Sequence, residues 1–264
     1  MGMTLFGDSQ GVGTVYWGSG VPSGSKGIKT TKGNIPSSYV FKGDTCSYIT
    51  VPYKGEILKK GCVGQDKECN YVFCKEGAML QYFKTNEKTV NEIVAKTPKD
   101  QPIVFQLGGN DLSAIKGSKG DKKLAEDVEK KVDEYIKYFK EQMKKPEWKG
   151  KKVIFVGVPP RYGVAEDQNE KVEKFNTLMK KRLPELGISF VDLYAYTMEK
   201  DLMKNQKDSK GIHYGPTAKE SMYKYMVKEI DKIMLKEQRL AMEENLNVKA
   251  SDLSMNPTSF ERGR

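Results

Sequence analysis

Three side chains in this sequence have the types and settings that acyl chemistry requires. Ser9 lies in Gly7-Asp8-Ser9-Gln10, Asn110 lies in Gly108-Gly109-Asn110-Asp111, and His213 is the single histidine of the chain. A serine hydroxyl is a poor nucleophile until a base takes its proton, and imidazole is the side chain best matched to that task near neutral pH. Attack on an ester carbonyl creates a tetrahedral oxyanion, which needs hydrogen-bond donors already in place. The backbone N–H of Ser9, the backbone N–H of Gly77 and the side-chain amide of Asn110 are the candidate donors. Gly77 suits the role because a residue without Cβ lets a substrate oxygen approach the backbone.

Each of these features also has an ordinary reading. Gly-Asp-Ser is a short string, Gly-Gly-Asn-Asp is a common turn composition, and a lone histidine is more often structural than catalytic. Their joint placement carries the argument. Five apolar runs read as buried strands: 3–6, 71–74, 103–107, 153–158 and 188–193. They are rich in β-branched and aromatic residues and end in Gly, Asp or Pro, as strands of a covered parallel sheet do. Amphipathic helices lie between them. Leu124, Val128, Val132, Ile136, Phe139 and Met143 form one stripe at helical spacing; Val172, Phe175 and Met179 mark a second helix. Ala218, Met222, Met226, Ile230 and Ile233 mark a third, which Pro216 can start. Strands alternating with helices imply right-handed crossovers and a doubly wound three-layer α/β/α fold with five parallel strands. Sites in such folds lie beyond the carboxyl ends of the strands. Ser9, Gly77 and Asn110 follow strands directly, and His213 follows the last one at a distance.

At these residues the chain resembles the SGNH (GDSL) hydrolases. Gly7-Asp8-Ser9 matches the family's first block, Gly77 its glycine block, Gly108-Gly109-Asn110-Asp111 its GxND block, and His213 its last block before the final helix. Pro159-Pro160 and the run Val191-Asp192-Leu193-Tyr194 are also similar to the family. The resemblance covers residues 3–9 and roughly 70–235. It implies a flavodoxin-like sheet and a serine esterase in which Ser9 is the nucleophile, His213 the base, and Ser9, Gly77 and Asn110 the oxyanion hole. It calls for no metal or organic cofactor. One position departs: the family has aspartate three residues before the histidine, and here stands Lys210. Asp208 is the alternative orienting carboxylate; a Ser–His dyad or an impaired site are the others. Such an aspartate is worth about 10⁴ in rate. Asp8 and Asp111 are expected to hold their loops through backbone hydrogen bonds rather than act as acids.

Composition bounds the rest. The chain has 264 residues, 38% of them hydrophobic and 30% charged, as in a folded water-soluble domain. An SGNH-like domain is expected over 1–237, with a long insertion at 11–70 and a helical extension at 238–264 that becomes polar at its end. No run of about 18 apolar residues is present, so no membrane span is expected. The first residues, Met1–Asp8, lack a secretory pattern. By default this reads as cytoplasmic, or as part of a virion or extracellular assembly. The net charge is +10, and seven lysines against Asp44 and Glu56 lie between Gly24 and Lys60. That patch reads as solubility or as attraction for a polyanionic glycan; no nucleic-acid motif accompanies it. Cys46, Cys62, Cys69 and Cys74 contain no CxxC pair, and one histidine is too few for an ordinary zinc site. Cys74 reads as a buried thiol, while Cys62 and Cys69 flank a polar loop and leave a disulfide open.

The substrate is less legible. Tyr16, Trp17, Tyr39, Phe41, Tyr48 and Tyr53 are scattered among the glycines and lysines of the insertion. Aromatics among polar groups suit sugar stacking better than a long acyl chain, which needs an apolar trough. A short acyl ester, such as O-acetyl on a glycan or a small acylated molecule, is the expected substrate. Two rivals stand beside this. One is a non-catalytic glycan binder or structural component of a larger assembly, using the insertion or the tail to meet a protein partner. The other is a phosphate or nucleotide binder, but residues 7–13 carry no GxxxxGK[ST] run and no clear helix is read after them.

Overall fold

The computed structural model describes residues 2–18, 28–30, 33–35, 48–52, 69–75, 77–117, 120, 122–204, 206 and 210–255. In chain order the strands are β1 (Thr4–Gly7), β2 (Ile28–Thr30), β3 (Gly33–Ile35), β4 (Tyr48–Pro52), β5 (Cys69–Cys74), β6 (Ile103–Gln106), β7 (Val153–Val156) and β8 (Ser189–Val191). The helices are α1 (Ser9–Gly18), α2 (Leu80–Thr85), α3 (Glu87–Lys96), α4 (Gly109–Ala114), α5 (Lys122–Gln142), α6 (Asn169–Arg182), α7 (Leu193–Glu199) and α8 (Pro216–Met255).

The five strands expected from the sequence form the parallel part of the sheet, in the order β5-β1-β6-β7-β8. Their pairing sets Cys74, Gly7, Gln106, Val156 and Val191 in one row across the carboxyl edge. The insertion adds to this sheet: β4 pairs antiparallel with β5, β2 with β4 and β3 with β2. These three short strands therefore extend the open edge of the sheet.

Two cores flank the sheet, and the period-2 alternation of the strands assigns residues to each. Leu5, Val72, Val104 and Ile154 face one side, against Val15 of α1 and Ala218, Met222, Tyr223, Met226 and Ile230 of α8. Phe6, Phe73, Phe105 and Phe155 face the other, against Phe83, Val90, Val128, Val132, Tyr135, Phe139, Val172 and Phe175 of α2, α3, α5 and α6. Stacked rings run along that face, with Phe6 and Phe105 at 5.0 Å. Each such phenylalanine contributes about 1.5–3 kcal/mol by leaving water.

Several expectations need adjustment. The insertion does not begin at residue 11, because Ser9–Gly18 is α1, which packs on α8. Gly11 and Gly13 lower its intrinsic helix propensity, so its stability comes from that packing. The last parallel strand ends at Val191. Asp192 accepts the N–H of Ala195 at 3.0 Å, caps α7 and stops the strand. The methionines of α8 are core filler, with Met222 and Met226 buried. α8 runs unbroken through residue 237 to Met255, and its described side chains are exposed from Leu235 onward. Cys74 is buried as expected; Cys46 and Cys62, and with them any bridge from Cys62 to Cys69, lie outside the described residues.

The glycine that ends β1 is set by a close approach. A Cβ at Gly7 would lie 2.6 Å from the Gln106 carbonyl oxygen of the neighbouring strand. Gly7→Ala is expected to part β1 from β6 and lower stability by about 1–3 kcal/mol, as overpacking does. Urea unfolding that shows no loss would contradict this packing.

Candidate active site

The site is assembled where three chain segments leave the carboxyl edge of the sheet. β1 ends at Gly7, Asp8 follows, and Ser9 opens α1. One Asp8 oxygen, Oδ1, accepts the N–H of Gln10 at 2.8 Å, satisfying a donor of the first helical turn. Ser9 is buried, and its position places its hydroxyl at the positive end of the α1 dipole. His213 stands three residues before Pro216, the first residue of α8. The two meet: Ser9 Oγ and His213 Nε2 are 3.0 Å apart, across 204 residues of chain. For the hydroxyl to donate, Nε2 must be unprotonated and the ring proton must sit on Nδ1.

Asn110 lies in the first turn of α4, directly after β6. Its Nδ2 donates to the other Asp8 oxygen, Oδ2, at 2.9 Å and to the Ala78 carbonyl at 3.1 Å. Both amide protons are therefore engaged. Gly77 adopts φ +70, a left-handed conformation that favours glycine, although a Cβ there would meet nothing within 4 Å. Its neighbour Ala78 is the residue that contacts Asn110, so the β5–α2 turn reaches the same place as Ser9 and Asn110. Asp111 Oδ2 accepts the N–H of Leu80 at 3.1 Å and the hydroxyl of Tyr135 at 2.8 Å. Asp8 and Asp111 thus hold loops through backbone hydrogen bonds, as their setting in the sequence leads one to expect.

Lys210 is exposed, and Asp208 lies outside the described residues. Other contacts to the histidine segment carry no sequence motif. The Tyr162 N–H donates to the Gly211 carbonyl at 3.1 Å, and the Tyr162 hydroxyl donates to the His213 carbonyl at 2.5 Å. The Gln10 side-chain amide donates to the Ile212 carbonyl. Tyr214 donates to the Pro160 carbonyl and Gly215 N–H to Gln206 Oε1, both at 2.5 Å. Arg161 is buried as well, and its Nη2 donates to the Gly109 carbonyl at 2.7 Å and to Ser113 Oγ at 3.2 Å. No spacing signal marks Gln10, Arg161, Tyr162 or Tyr214, because each acts through a backbone group brought close only by the fold.

The buried charges oppose one another. Burial pushes the Asp8 carboxyl up to about 6, against the N–H of Gln10 and the Arg161 charge, which favour the anion. Asp111 is likewise raised by burial and held down by Tyr135 and Leu80. Arg161 is lowered by burial, with Asp8 pulling it the other way. Among the described residues, no group of three or more His, Cys, Asp or Glu could hold a metal ion, and no helix is long and apolar enough to cross a membrane. The arrangement can pass a proton from a hydroxyl to an imidazole beside a set of amide donors.

A model of the GDSL-like lipase/acylhydrolase family matches residues 3–226. An acetylxylan esterase from Geobacillus stearothermophilus superposes with a TM-score of 0.51 at 14% identity, over 86% of this chain and 93% of that one. A catalytic mutant of the same esterase gives 0.51 and 14%, over 87% and 95%. A member of the lipolytic G-D-S-L family from Veillonella parvula gives 0.47 and 14%, over 86% and 97%. At such identities the likeness is one of fold. No curated protein matches the sequence significantly.

The Asp8 carboxyl yields a pH prediction. Its native pKa of about 6 exceeds the ordinary 3.8, so the native state binds the extra proton. Its contribution to stability is fully present below about pH 4 and is lost as pH rises through about 6, about 3 kcal/mol in all. Asp8→Asn lacks that term. Its stability relative to the wild type is expected to rise by up to about 3 kcal/mol between pH 4 and 7 in urea unfolding. A difference that stays flat over this range would contradict the assignment.

Proposed function

Since the chain belongs to the GDSL-like lipase/acylhydrolase family and is a carboxylic ester hydrolase, we propose that Ser9 is its nucleophile and His213 its general base. The observation that carries this reading is the 3.0 Å contact between Ser9 Oγ and His213 Nε2. In the first half-reaction the Ser9 proton passes to Nε2 as Oγ attacks the ester carbonyl. The resulting imidazolium returns the proton to the leaving alkoxide, which leaves an acyl-serine. In the second half-reaction His213 takes a proton from water and the hydroxide attacks the acyl carbon; the bond to Ser9 Oγ then breaks, the imidazolium returns its proton to Oγ, and the carboxylic acid leaves.

The developing oxyanion is bound by the N–H of Ser9 at the α1 terminus, the N–H of Gly77 and Asn110 Nδ2. Asn110 must release one acceptor to do this. Ala78 offers a neutral carbonyl, whereas Asp8 offers a carboxylate whose bond is about twice as strong. The oxyanion therefore replaces Ala78 as acceptor, while Asp8 keeps the amide oriented. From the sequence we assign to Asp208 the carboxylate that holds the Nδ1–H tautomer, since Lys210 stands where the family has aspartate.

We assign a short acyl ester on a glycan as the substrate. In the sequence, aromatic residues set among glycine and lysine between positions 16 and 53 favour sugar stacking over a long acyl chain. The likeness in fold to an enzyme named an acetylxylan esterase agrees with this choice. A second reading, a member of the fold that binds glycan without turnover, is favoured by Lys210 alone.

Kinetics with p-nitrophenyl acetate and acetylated xylooligosaccharides test the assignment. Ser9→Ala and His213→Ala are expected to lose at least about 10³ in kcat with an unchanged circular dichroism spectrum. Asp208→Asn is expected to lose about 10² to 10⁴. Full activity in Ser9→Ala would end the mechanism. Cleavage of p-nitrophenyl palmitate in preference to both acetyl substrates would end the substrate class, and oligosaccharide binding with no turnover would favour the second reading.

A further inference from the structure

The segment that carries His213, residues 211–215, has no helix or strand of its own, yet three consecutive carbonyls in it are taken by donors from elsewhere. Gly211 accepts the N–H of Tyr162, Ile212 accepts the side-chain amide of Gln10, and His213 accepts the hydroxyl of Tyr162. Tyr214 adds a bond in the reverse direction, to the Pro160 carbonyl, and its ring packs on that of Tyr162 at a centroid distance of 5.2 Å. The two backbones lie so close that a Cβ at Gly211, which has φ +64, would stand 2.0 Å from the Tyr162 carbonyl oxygen.

One of these bonds has a special position. Gln10 follows Ser9, and Ile212 precedes His213. The bond from Gln10 to Ile212 therefore runs beside the one from Ser9 to His213, between the same two segments. Gln10 is buried and lies in the first turn of α1, whose start Asp8 caps, so its own placement is firm. Two links side by side hold both the separation and the relative rotation of the segments; a single contact holds only the separation. A base displaced by about 1 Å costs about 10²-fold in rate.

We infer that Gln10 and Tyr162 are positioning residues, forming a clasp that holds His213 on Ser9 through its backbone. The inference rests on the reading of Ser9 and His213 as nucleophile and base. It assigns to backbone bonds a share of the orientation that the family's aspartate, replaced here by Lys210, would supply through the ring. Neither residue touches the reacting atoms, so both act through His213.

Gln10→Met removes the amide at nearly constant volume, and Tyr162→Phe removes the hydroxyl while keeping the ring on Tyr214. With p-nitrophenyl acetate, each is expected to lower kcat about 10- to 100-fold with KM within about twofold. The melting temperature should fall by only about 2–4 °C. In a His213→Ala background the same two substitutions should change the residual rate by less than about twofold, because no base remains to be placed. Wild-type kcat in both variants, alongside an inactive His213→Ala, would overturn the clasp and leave the mechanism standing. Equal losses with and without His213 would also overturn it, since they would show a role elsewhere in the site. A wild type without turnover would overturn the clasp and the mechanism together.

Discussion

The site depends on the hydrogen bond between Ser9 Oγ and His213 Nε2, and that bond depends on how α1 lies against α8. Ser9 opens α1, His213 stands just ahead of α8, and both helices set out from the carboxyl edge of the sheet. Val15 of α1 and Met222, Tyr223 and Met226 of α8 share one buried cluster with Leu5, Val72 and Val104. An apolar contact with no chemistry of its own thus fixes the relative position of two helix starts. The parallel register sets Gly7 and Gln106 level at the edge, so Asn110, four residues beyond Gln106, is brought to the same place. Hydrophobic burial sets the frame, and hydrogen bonds set the last ångström within it.

The polar groups beneath the site work against their own burial. Asp8 is almost fully buried, and its carboxylate is held by Gln10, Asn110 and the charge of Arg161. Arg161 in turn fixes the Gly109 carbonyl and Ser113, next to Asn110. Burying such groups costs several kcal/mol unless their partners are complete. Here the partners are the segments that must be held still: the first turn of α1 and the start of α4. Asp111 does the same for the start of α2, through the N–H of Leu80, and for the middle of α5, through the hydroxyl of Tyr135. This is the pattern of a preorganised site, in which dipoles are oriented before the substrate arrives.

Much of this was legible in the sequence, for physical reasons. The five parallel strands were visible because both faces of each are covered, which leaves near-continuous apolar runs such as Val153–Val156. The stripe of α5 was visible because one face meets the core and the rest meets water. Ser9, Asn110 and His213 stood out because chemistry restricts their types; the first two follow strand ends directly, and the fold brings the histidine to Ser9 from the segment ahead of α8. α1 was hidden because Gly11 and Gly13 mask a helix stabilised by α8 rather than by propensity. That β2, β3 and β4 join the main sheet was hidden because edge pairing is set by tertiary register. The roles of the Gln10 side chain and of Tyr162 were hidden because the groups they hold are carbonyls, which every residue carries, and Arg161 because the fold alone brings it to Gly109, Ser113 and Asp8. The pairing of His213 with Asp208 falls outside the described residues, so that reading still rests on the sequence.

The most direct measurement of the central claim is covalent capture of the nucleophile. The protein would be treated with a fluorophosphonate, digested, and mapped by mass spectrometry, beside the His213→Ala protein. A single phosphonyl adduct on Ser9, formed at a rate that collapses without His213, is the expected result. An unlabelled Ser9 in the folded wild-type protein, or labelling indifferent to His213, would contradict the account.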